Sequence, residues 1–215
     1  MSRLLRRALA AVGLFACAST AHAGTFNYSG YAVFNNQNVY LDLNQPAPLP
    51  SANEWAGSGE IILYSNAVLG GALPTWCVDI PDTLLVSGQF TTGGFLTGAF
   101  GQTVNALLSN VIPLLGSDFN ASSALQVAIW NAEYGSALNV TAPDAVTSLA
   151  NQYLAHVQDG SFRADPHEAV ALLAGYGNNQ DQAYLVATPE PASMAVLGVG
   201  LMGLAFVHRR INRTS

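Results

Sequence analysis

Two short segments of the sequence place a reactive side chain beside aromatic residues. Residues 76–79 read Trp-Cys-Val-Asp, and residues 126–130 read Gln-Val-Ala-Ile-Trp. Of the two cysteines, Cys17 lies within the first 23 residues, so a chain that lost this segment on export would keep Cys77 alone. An unpaired cysteine in an oxidising compartment indicates an intermolecular bridge, a reactive thiol or a modified thiol.

These two segments resemble the paired signatures of the bacterial surface thioester domain, an aromatic-Cys-aliphatic-Asp/Asn segment followed by Gln-x-Ala-aliphatic-Trp. In that family the cysteine sulfur and the glutamine side-chain carbonyl join with loss of ammonia. The product is an internal thioester, an activated acyl group that an amine or a hydroxyl attacks. The resemblance implies that Cys77 supplies the sulfur and Gln126 the acyl group. It also implies that three residues surround the bond: Trp76, Asp79 and Trp130.

The same residues also fit a structural role. Ser123 and Gln126 match a capping box, in which Ser123 would be the N-cap of a helix and Gln126 its third residue. Trp130 would then be an ordinary core residue, and a lone cysteine often packs as a small buried hydrophobe. Three hypotheses for Cys77 therefore stay open: a thioester, a structural pair with Gln126, and a free reactive thiol.

The C-terminal segment, residues 188–213, has the composition of a sorting signal. A Pro-Glu-Pro triplet precedes an uncharged stretch, Ala192–Val207, that would span roughly 24 Å as a helix, just short of the ~30 Å hydrocarbon core. Glycines along it would allow another helix to approach closely, and the arginines that follow favour the cytoplasmic side. The segment resembles the PEP-CTERM signal of Gram-negative bacteria, which implies cleavage near the triplet by the membrane enzyme exosortase. The residues that carry this resemblance are Pro189, Glu190, Pro191, Arg209 and Arg210.

The first 23 residues match a secretory signal peptide. Arg3, Arg6 and Arg7 precede an apolar stretch, and the segment ends in an Ala-x-Ala pattern at residues 21–23. We expect cleavage between Ala23 and Gly24, which leaves residues 24–187 as the exported domain.

The exported part of the chain is strongly acidic. All thirteen acidic residues lie between Asp42 and Glu190, whereas Arg163 is the one basic residue in that interval, so the difference is 13 − 1 = 12 negative charges. The chain contains no lysine. Nucleic acids and anionic lipids are bound through clustered lysine and arginine, so nucleic-acid binding is excluded.

Hydrophobic patterning predicts strands first and helices later. The expected strands are two within 25–42 joined by a turn at Asn35–Asn38, then Gly59–Tyr64, Leu73–Ile80, part of Gly88–Phe100, and Gln182–Ala187. The expected helices are Thr103–Leu115 interrupted at Pro113, Ser122–Tyr134, Pro143–Gln158 and Pro166–Ala174. An extended loop is expected at Gln45–Asn53. This order predicts an α+β domain with an antiparallel, barrel-like sheet, followed by a single hydrophobic C-terminal helix that anchors the protein transiently in the membrane.

Other groups of polar residues are weak candidates for a metal site. Asp79, Asp82 and Asp118 contain the oxygen ligands that calcium prefers, but they lack an EF-hand pattern. His156 and His167 do not have zinc-site spacing. We therefore expect no metal, no cofactor and no catalytic turnover.

The leading hypothesis is an exported cell-surface or extracellular-matrix protein that acts as an adhesin through a thioester between Cys77 and Gln126. Its partners would be exosortase and the amines or glycans of the matrix or of other cells. Two alternatives remain, a non-covalent carbohydrate- or matrix-binding protein and a secreted hydrolase.

Overall fold

A computed structural model describes residues 24–46, 51–68, 70–177, 179–188, 198–202 and 204. The predicted signal peptide, the Pro-Glu-Pro triplet and the terminal arginines lie outside these residues. Residues 198–202 and 204 are helical. The described helices include none with both the length and the apolar character needed to cross a membrane.

The described domain contains strands, three α-helices and one short 3₁₀-helix, Gly135–Ala137. The strands are β1 (Thr25–Tyr28), β2 (Gly30–Leu43), β3 (Ala52–Tyr64), β4 (Ala72–Cys77), β5 (Gly88–Phe95), β6 (Leu138–Thr141), β7 (Glu168–Gly175) and β8 (Gln182–Ala187). The α-helices are α1 (Gly98–Leu115), α2 (Phe119–Tyr134) and α3 (Asp144–Gln158). The α+β class expected from the sequence is confirmed.

The strands form one eight-stranded sheet in the order β1-β5-β7-β8-β4-β3-β2-β6, and its paired strands are antiparallel. Strands β1 and β2 follow each other in the chain, yet they lie at or near opposite ends of that order. Ser29 separates them, and its backbone N–H donates to the carbonyl of Tyr64 at the end of β3 (2.9 Å). Because β1 and β2 are joined through one residue, the two ends of the sheet must lie close together. The sheet therefore curves into a barrel-like shape.

Helix α2 is the centre of the domain. Every residue from Ala121 to Trp130 is buried, and the helix packs against α1, α3 and the β2–β3 ribbon. A helix buried on all sides needs apolar or hydrogen-bonded residues around its whole circumference. Its polar residues must therefore bond to the surrounding strands.

Two serines in the first turns of α2 meet this need. The Ser122 hydroxyl accepts from the N–H of Glu60 (2.9 Å). The Ser123 hydroxyl accepts from the N–H of Gln37 (2.8 Å) and donates to the carbonyl of Ser58 (2.7 Å). These bonds satisfy backbone groups at the irregularity between β2 and β3, where the regular ladder is interrupted. The serines thus dock the helix onto the ribbon.

The capping box proposed for Ser123 and Gln126 is wrong. Helix α2 begins at Phe119, and its N-cap is Asp118, whose side chain accepts from the backbone N–H groups of Asn120 and Ala121. A carboxylate is a strong N-cap acceptor. The helix therefore begins at Phe119, three residues before the Ser122 that hydrophobic patterning indicated.

The predicted turn at Asn35–Asn38 is also wrong. Strand β2 continues through it, with a register shift between Phe34 and Gln37 and a positive φ of 47° at Asn35. Asparagine tolerates this left-handed conformation, so a β-bulge replaces the turn. A Cβ on Gly59 would lie 2.8 Å from the Phe34 carbonyl oxygen, so only glycine fits opposite the bulge.

The helix predicted at Pro166–Ala174 is instead strand β7, which lies between β5 and β8. Its Ala- and Leu-rich sequence favours a helix locally, but pairing on both sides overrides that preference. Helix α1 begins at Gly98 rather than at Thr103, and it continues through Pro113 to Leu115. Strand β3 begins at Ala52, inside the predicted loop, and β4 ends at Cys77 rather than at Ile80.

Substitution of Ser123 by alanine tests the docking of α2 on the ribbon. Removal of the hydroxyl leaves the N–H of Gln37 and the carbonyl of Ser58 without this partner. We expect the free energy of unfolding to fall by about 2 kcal/mol, since an unsatisfied buried polar group costs ~1–3 kcal/mol. Urea denaturation measures the change. Ser117→Ala, in the exposed turn before α2, serves as the control, and an equal effect of the two variants would contradict this account.

Candidate functional site

Cys77 and Gln126 meet in the core of the domain. Cys77 is the last residue of β4, where it lies opposite Gln182 of β8, and Gln126 lies on the second turn of α2. Each is only 1% exposed. The fold thus brings together two residues that are 49 positions apart in the chain.

Two reciprocal hydrogen bonds join these residues. The backbone N–H of Cys77 donates to Oε1 of Gln126 (3.0 Å), and Nε2 of Gln126 donates to the carbonyl of Cys77 (2.7 Å). The carboxamide therefore bonds to the main chain as a neighbouring strand would. Both hydrogen bonds are buried, where hydrogen bonding is strong and an unpaired group is costly.

The thiol of Cys77 lies in a mainly apolar environment. It donates to the backbone carbonyl of Asp79 (2.8 Å). Burial raises the pKa of the Cys77 thiol far above its usual range, while the indole N–H of Trp130 acts in the opposite direction. That indole nitrogen is buried and forms no hydrogen bond of ordinary geometry within the described part of the chain, and the same holds for Trp76. A free thiolate is therefore strongly disfavoured here.

A cavity of about 320 Å³ extends to Cys77. It lies between the β2–β3 ribbon, the loop after β4 and helix α2. Apolar and aromatic side chains form much of its wall, and the carboxylates of Glu54 and Asp82 add negative charge. Trp55, which is 69% exposed, lies at its outer part. The cavity gives a small molecule or a side chain a place beside the sulfur.

Acidic groups cluster next to this cavity. Burial and the nearby Asp82 carboxyl raise the pKa of Asp79 to about 6. Partial burial, together with the charges of Asp79 and Asp181, raises the pKa of Glu133 to about 7. The Tyr134 hydroxyl lowers the pKa of Asp79 and so opposes these effects, and it accepts from the backbone N–H of Ile80 (3.2 Å). Both carboxyl groups therefore keep their protons to higher pH than ordinary carboxyl groups do.

Of the five residues that the sequence segments predicted, the structure brings together Cys77, Asp79, Gln126 and Trp130, and Trp76 is the buried residue before Cys77 on β4. Two others, Glu133 and Tyr134, were missed, although their spacing of three and four residues from Trp130 places them on the same helix face. Asp181 follows β7 in a loop, and no local pattern could have linked it to the site.

Other sequence candidates lie elsewhere. Asp118 caps α2 and does not join Asp79 and Asp82. The ring of His156 packs against Phe162. Within the described ranges, no group of three or more His, Cys, Asp or Glu side chains is arranged to hold a metal ion.

Comparison with known proteins identifies the C-terminal segment. Residues 187–210 match the family model of the PEP-CTERM protein-sorting motif. This motif marks an exported protein that exosortase sorts to the cell surface or the extracellular space. A search of curated proteins gives no match.

One solved structure is distantly similar to this chain. It is the N-terminal thioester domain of a surface protein from Clostridium perfringens, with 12% sequence identity and a TM-score of 0.45 over 70% of this chain and 100% of that chain. At this level of similarity, no property of that domain is carried over.

The raised pKa values predict how stability depends on pH. Asp79 and Glu133 have ordinary values of 3.8 and 4.5, so the folded protein keeps these protons to higher pH than the unfolded chain does. Their contribution to stability is complete below about pH 4 and is lost as the pH rises through about 6 and 7. We expect the urea midpoint to fall between about pH 5 and about pH 8.

Glu133→Gln should show a smaller fall, because one of the two carboxyl groups no longer ionises. Asp144→Asn, in the first turn of α3, should keep the fall of the parent protein. A midpoint that rises across this interval in the parent would contradict the assignment.

Proposed function

We propose that residues 24–187 form an exported domain in which Cys77 and Gln126 join as an internal thioester. The domain then attaches covalently to an amine or a glycan hydroxyl of the matrix or of another cell. The observation that carries this proposal is the pair of hydrogen bonds between the Gln126 carboxamide and the Cys77 main chain. They hold the side-chain carbon that must be attacked close to the backbone of the residue whose sulfur would attack it.

Burial also supports the thioester. Water hydrolyses an activated acyl group, so such a bond persists only where water is excluded until a target arrives. Cys77, Gln126, Trp76 and Trp130 are at most 2% exposed, whereas the adjoining cavity reaches Cys77 and Trp130. A sulfur held in a thioester would also be protected from oxidation after export.

The sorting motif supports a location at the cell surface or outside the cell for this attachment. An exosortase substrate is delivered to the cell surface or beyond it, where a covalent attachment would hold the protein on its target. The absence of lysine from the chain removes internal amines that would otherwise compete at high effective concentration. We place this molecule among surface proteins that act once, without turnover.

A second candidate function is non-covalent glycan binding. The exposed Trp55 lies edge-on to Tyr40 on the β2–β3 ribbon, with ring centroids 5.4 Å apart. Exposed aromatic rings are amphipathic contact surfaces, and sugar rings pack against them. Under this hypothesis, Cys77 and Gln126 would serve only to join β4 to α2.

The mass of the purified domain distinguishes these functions. With the thioester, residues 24–187 should be lighter than the sequence requires by the mass of one ammonia molecule. Methylamine should then add its full mass, because the amine opens the bond. Cys77→Ala should have the full sequence mass before and after methylamine. If the parent also has the full mass and ignores methylamine, the covalent proposal fails and glycan binding through Trp55 remains.

Replacement of Glu190 by alanine tests the sorting step. The triplet lies where exosortase is expected to act, so this variant should still be exported but should accumulate as an unprocessed form. Immunoblots of membrane and surface fractions separate the two forms. Glu54→Ala, which removes a carboxylate outside the motif, should mature like the parent. Normal maturation of Glu190→Ala would show that the triplet is not what the enzyme reads.

A further inference from the structure

Strands β3 and β4 pair over only a few residues and then separate. Their ladder covers residues 61–64 of β3 and ends at the pair of Ile61 with Thr75. The next two residues of β4, Trp76 and Cys77, pair with β8 instead. The earlier part of β3, residues 52–60, therefore pairs with β2 on one side and with no strand of the described residues on the other. We call this second side of residues 52–60 the β3 edge.

The backbone groups of alternate β3 residues point toward this edge. In antiparallel pairing, successive residues direct their N–H and C=O groups alternately to the two sides of a strand. The carbonyl of Ile61 accepts from the Thr75 hydroxyl of β4 (3.1 Å), whereas the carbonyl of Tyr64 accepts from Ser29 on the β2 side (2.9 Å). Odd-numbered residues of β3 therefore point toward the β4 side. Along the β3 edge they present donors and acceptors as the outer strand of a sheet does.

The cavity that reaches Cys77 borders the β3 edge. Residues 54–57 follow each other in β3, and all four line the cavity. Successive side chains of a strand point to opposite faces, so four consecutive residues line one cavity where the cavity runs along the edge of the strand. The cavity therefore continues the gap that opens where β3 and β4 separate.

Cys77 faces the same gap from the β4 side. The next residue, Val78, donates its backbone N–H to Asp181, the residue before β8 (3.1 Å). By the same alternation, the N–H and C=O of Cys77 point away from β8, and there they bond to the Gln126 carboxamide. The carboxamide thus occupies the position of a paired strand on one side of the gap. The β3 edge on the other side has no strand partner in the part of the chain that the structure describes.

Glu54 gives the β3 edge a preference for a cation. It pairs with Leu41 of β2, so the two side chains share one face of the ribbon. Leu41 is buried in the core, whereas Glu54 is exposed. A positively charged side chain on a strand paired with the edge would lie beside this carboxylate. The chain contains no lysine, so a second copy supplies no lysine amine here.

We propose that the β3 edge binds an extended segment of a target polypeptide by strand addition. The segment pairs with the backbone of Asn53, Trp55 and Gly57 through its own main chain, a mode that needs no fixed target sequence. A lysine on its inward face lies beside Glu54, in the cavity that reaches Cys77. Binding does not depend on the thioester, whereas capture of this lysine rests on the proposed function.

The capture step balances without another reactant. The lysine ammonium first gives one proton to solvent. The neutral nitrogen then bonds to Cδ of Gln126 as the C–S bond breaks. A second proton leaves the nitrogen as the amide forms, and the Cys77 sulfur takes up a proton and becomes a thiol.

The experiment follows coupling by intact mass, with a synthetic peptide as the probe. The probe is an acetylated and amidated heptapeptide, Thr-Val-Thr-Lys-Thr-Val-Thr, whose residues favour an extended conformation. Two references carry the same amine: N-acetyl-lysine methylamide, and the heptapeptide methylated on every backbone nitrogen. We expect the heptapeptide to couple about 10-fold faster than either reference at equal concentration, because only the heptapeptide can pair along the edge.

Two variants at one position separate the backbone from the side chain. Trp55→Pro removes an N–H that points to the edge and keeps the pairing with β2, since proline is tolerated where a strand N–H has no ladder partner. Trp55→Ala removes the ring and keeps the N–H. For each variant, the rate of the heptapeptide is divided by that of N-acetyl-lysine methylamide. This ratio should fall to about 1 in Trp55→Pro and stay well above that in Trp55→Ala.

Thr25→Pro is the control for proline in an outer strand. Thr25 is the exposed first residue of β1, which lies at one end of the sheet order. This variant should keep the ratio of the parent.

Equal rates for the heptapeptide and its methylated form would overturn the inference, since the main chain would then take no part. Equal ratios in Trp55→Pro and Trp55→Ala would also overturn it, because the ring would then explain binding. If Trp55→Pro fails to fold, the methylated peptide alone decides.

A parent that neither loses ammonia nor couples to any probe contradicts the proposed function itself. Docking is then decided by fluorescence anisotropy of the dye-labelled heptapeptide, with the labelled methylated form as the reference. Tighter binding of the unmethylated peptide supports the inference, and equal binding overturns it.

Discussion

The domain depends on the contact between the Gln126 carboxamide and the backbone of Cys77. Gln126 presents a donor and an acceptor to Cys77 at the end of β4, and both groups are removed from water. Within a low-dielectric core these bonds are strong, and replacement of Gln126 by an apolar residue would leave the backbone N–H and carbonyl of Cys77 without this partner. Strand β4 and the central helix are therefore fixed relative to each other before any chemistry occurs.

Helix α2 explains why that contact is possible. Ten successive residues of the helix are buried, and the two serines and the glutamine among them bond to strands. Ser122 and Ser123 bond to the irregular part of the β2–β3 ribbon, and Gln126 bonds to β4. The docking of this helix also places Trp130 beside Cys77 and makes α2 one wall of the cavity. The hydrogen bonds that dock the helix are thus also the ones that position the candidate site.

The sequence predicted the class of fold, because strands and helices rest on local patterns, and the two segments that resemble the thioester signatures indicated Cys77 and Gln126 as neighbours. The Trp-Cys-Val-Asp and Gln-Val-Ala-Ile-Trp segments each carry their residues within one strand end or one helix face. Such local patterns do not predict which strands pair with each other in the sheet. The segment of β7 has a helix-forming composition and becomes a strand only because β5 and β8 lie on either side. Asp181 enters the acidic cluster through the loop that follows β7, and residue spacing gives no sign of it.

A crystal structure of residues 24–187 tests the central claim most directly. The account predicts continuous electron density between Sγ of Cys77 and Cδ of Gln126, with Nε2 absent and its hydrogen bond to the Cys77 carbonyl lost. An intact carboxamide, still bonded to the Cys77 main chain and with no density joining it to the sulfur, would contradict the account.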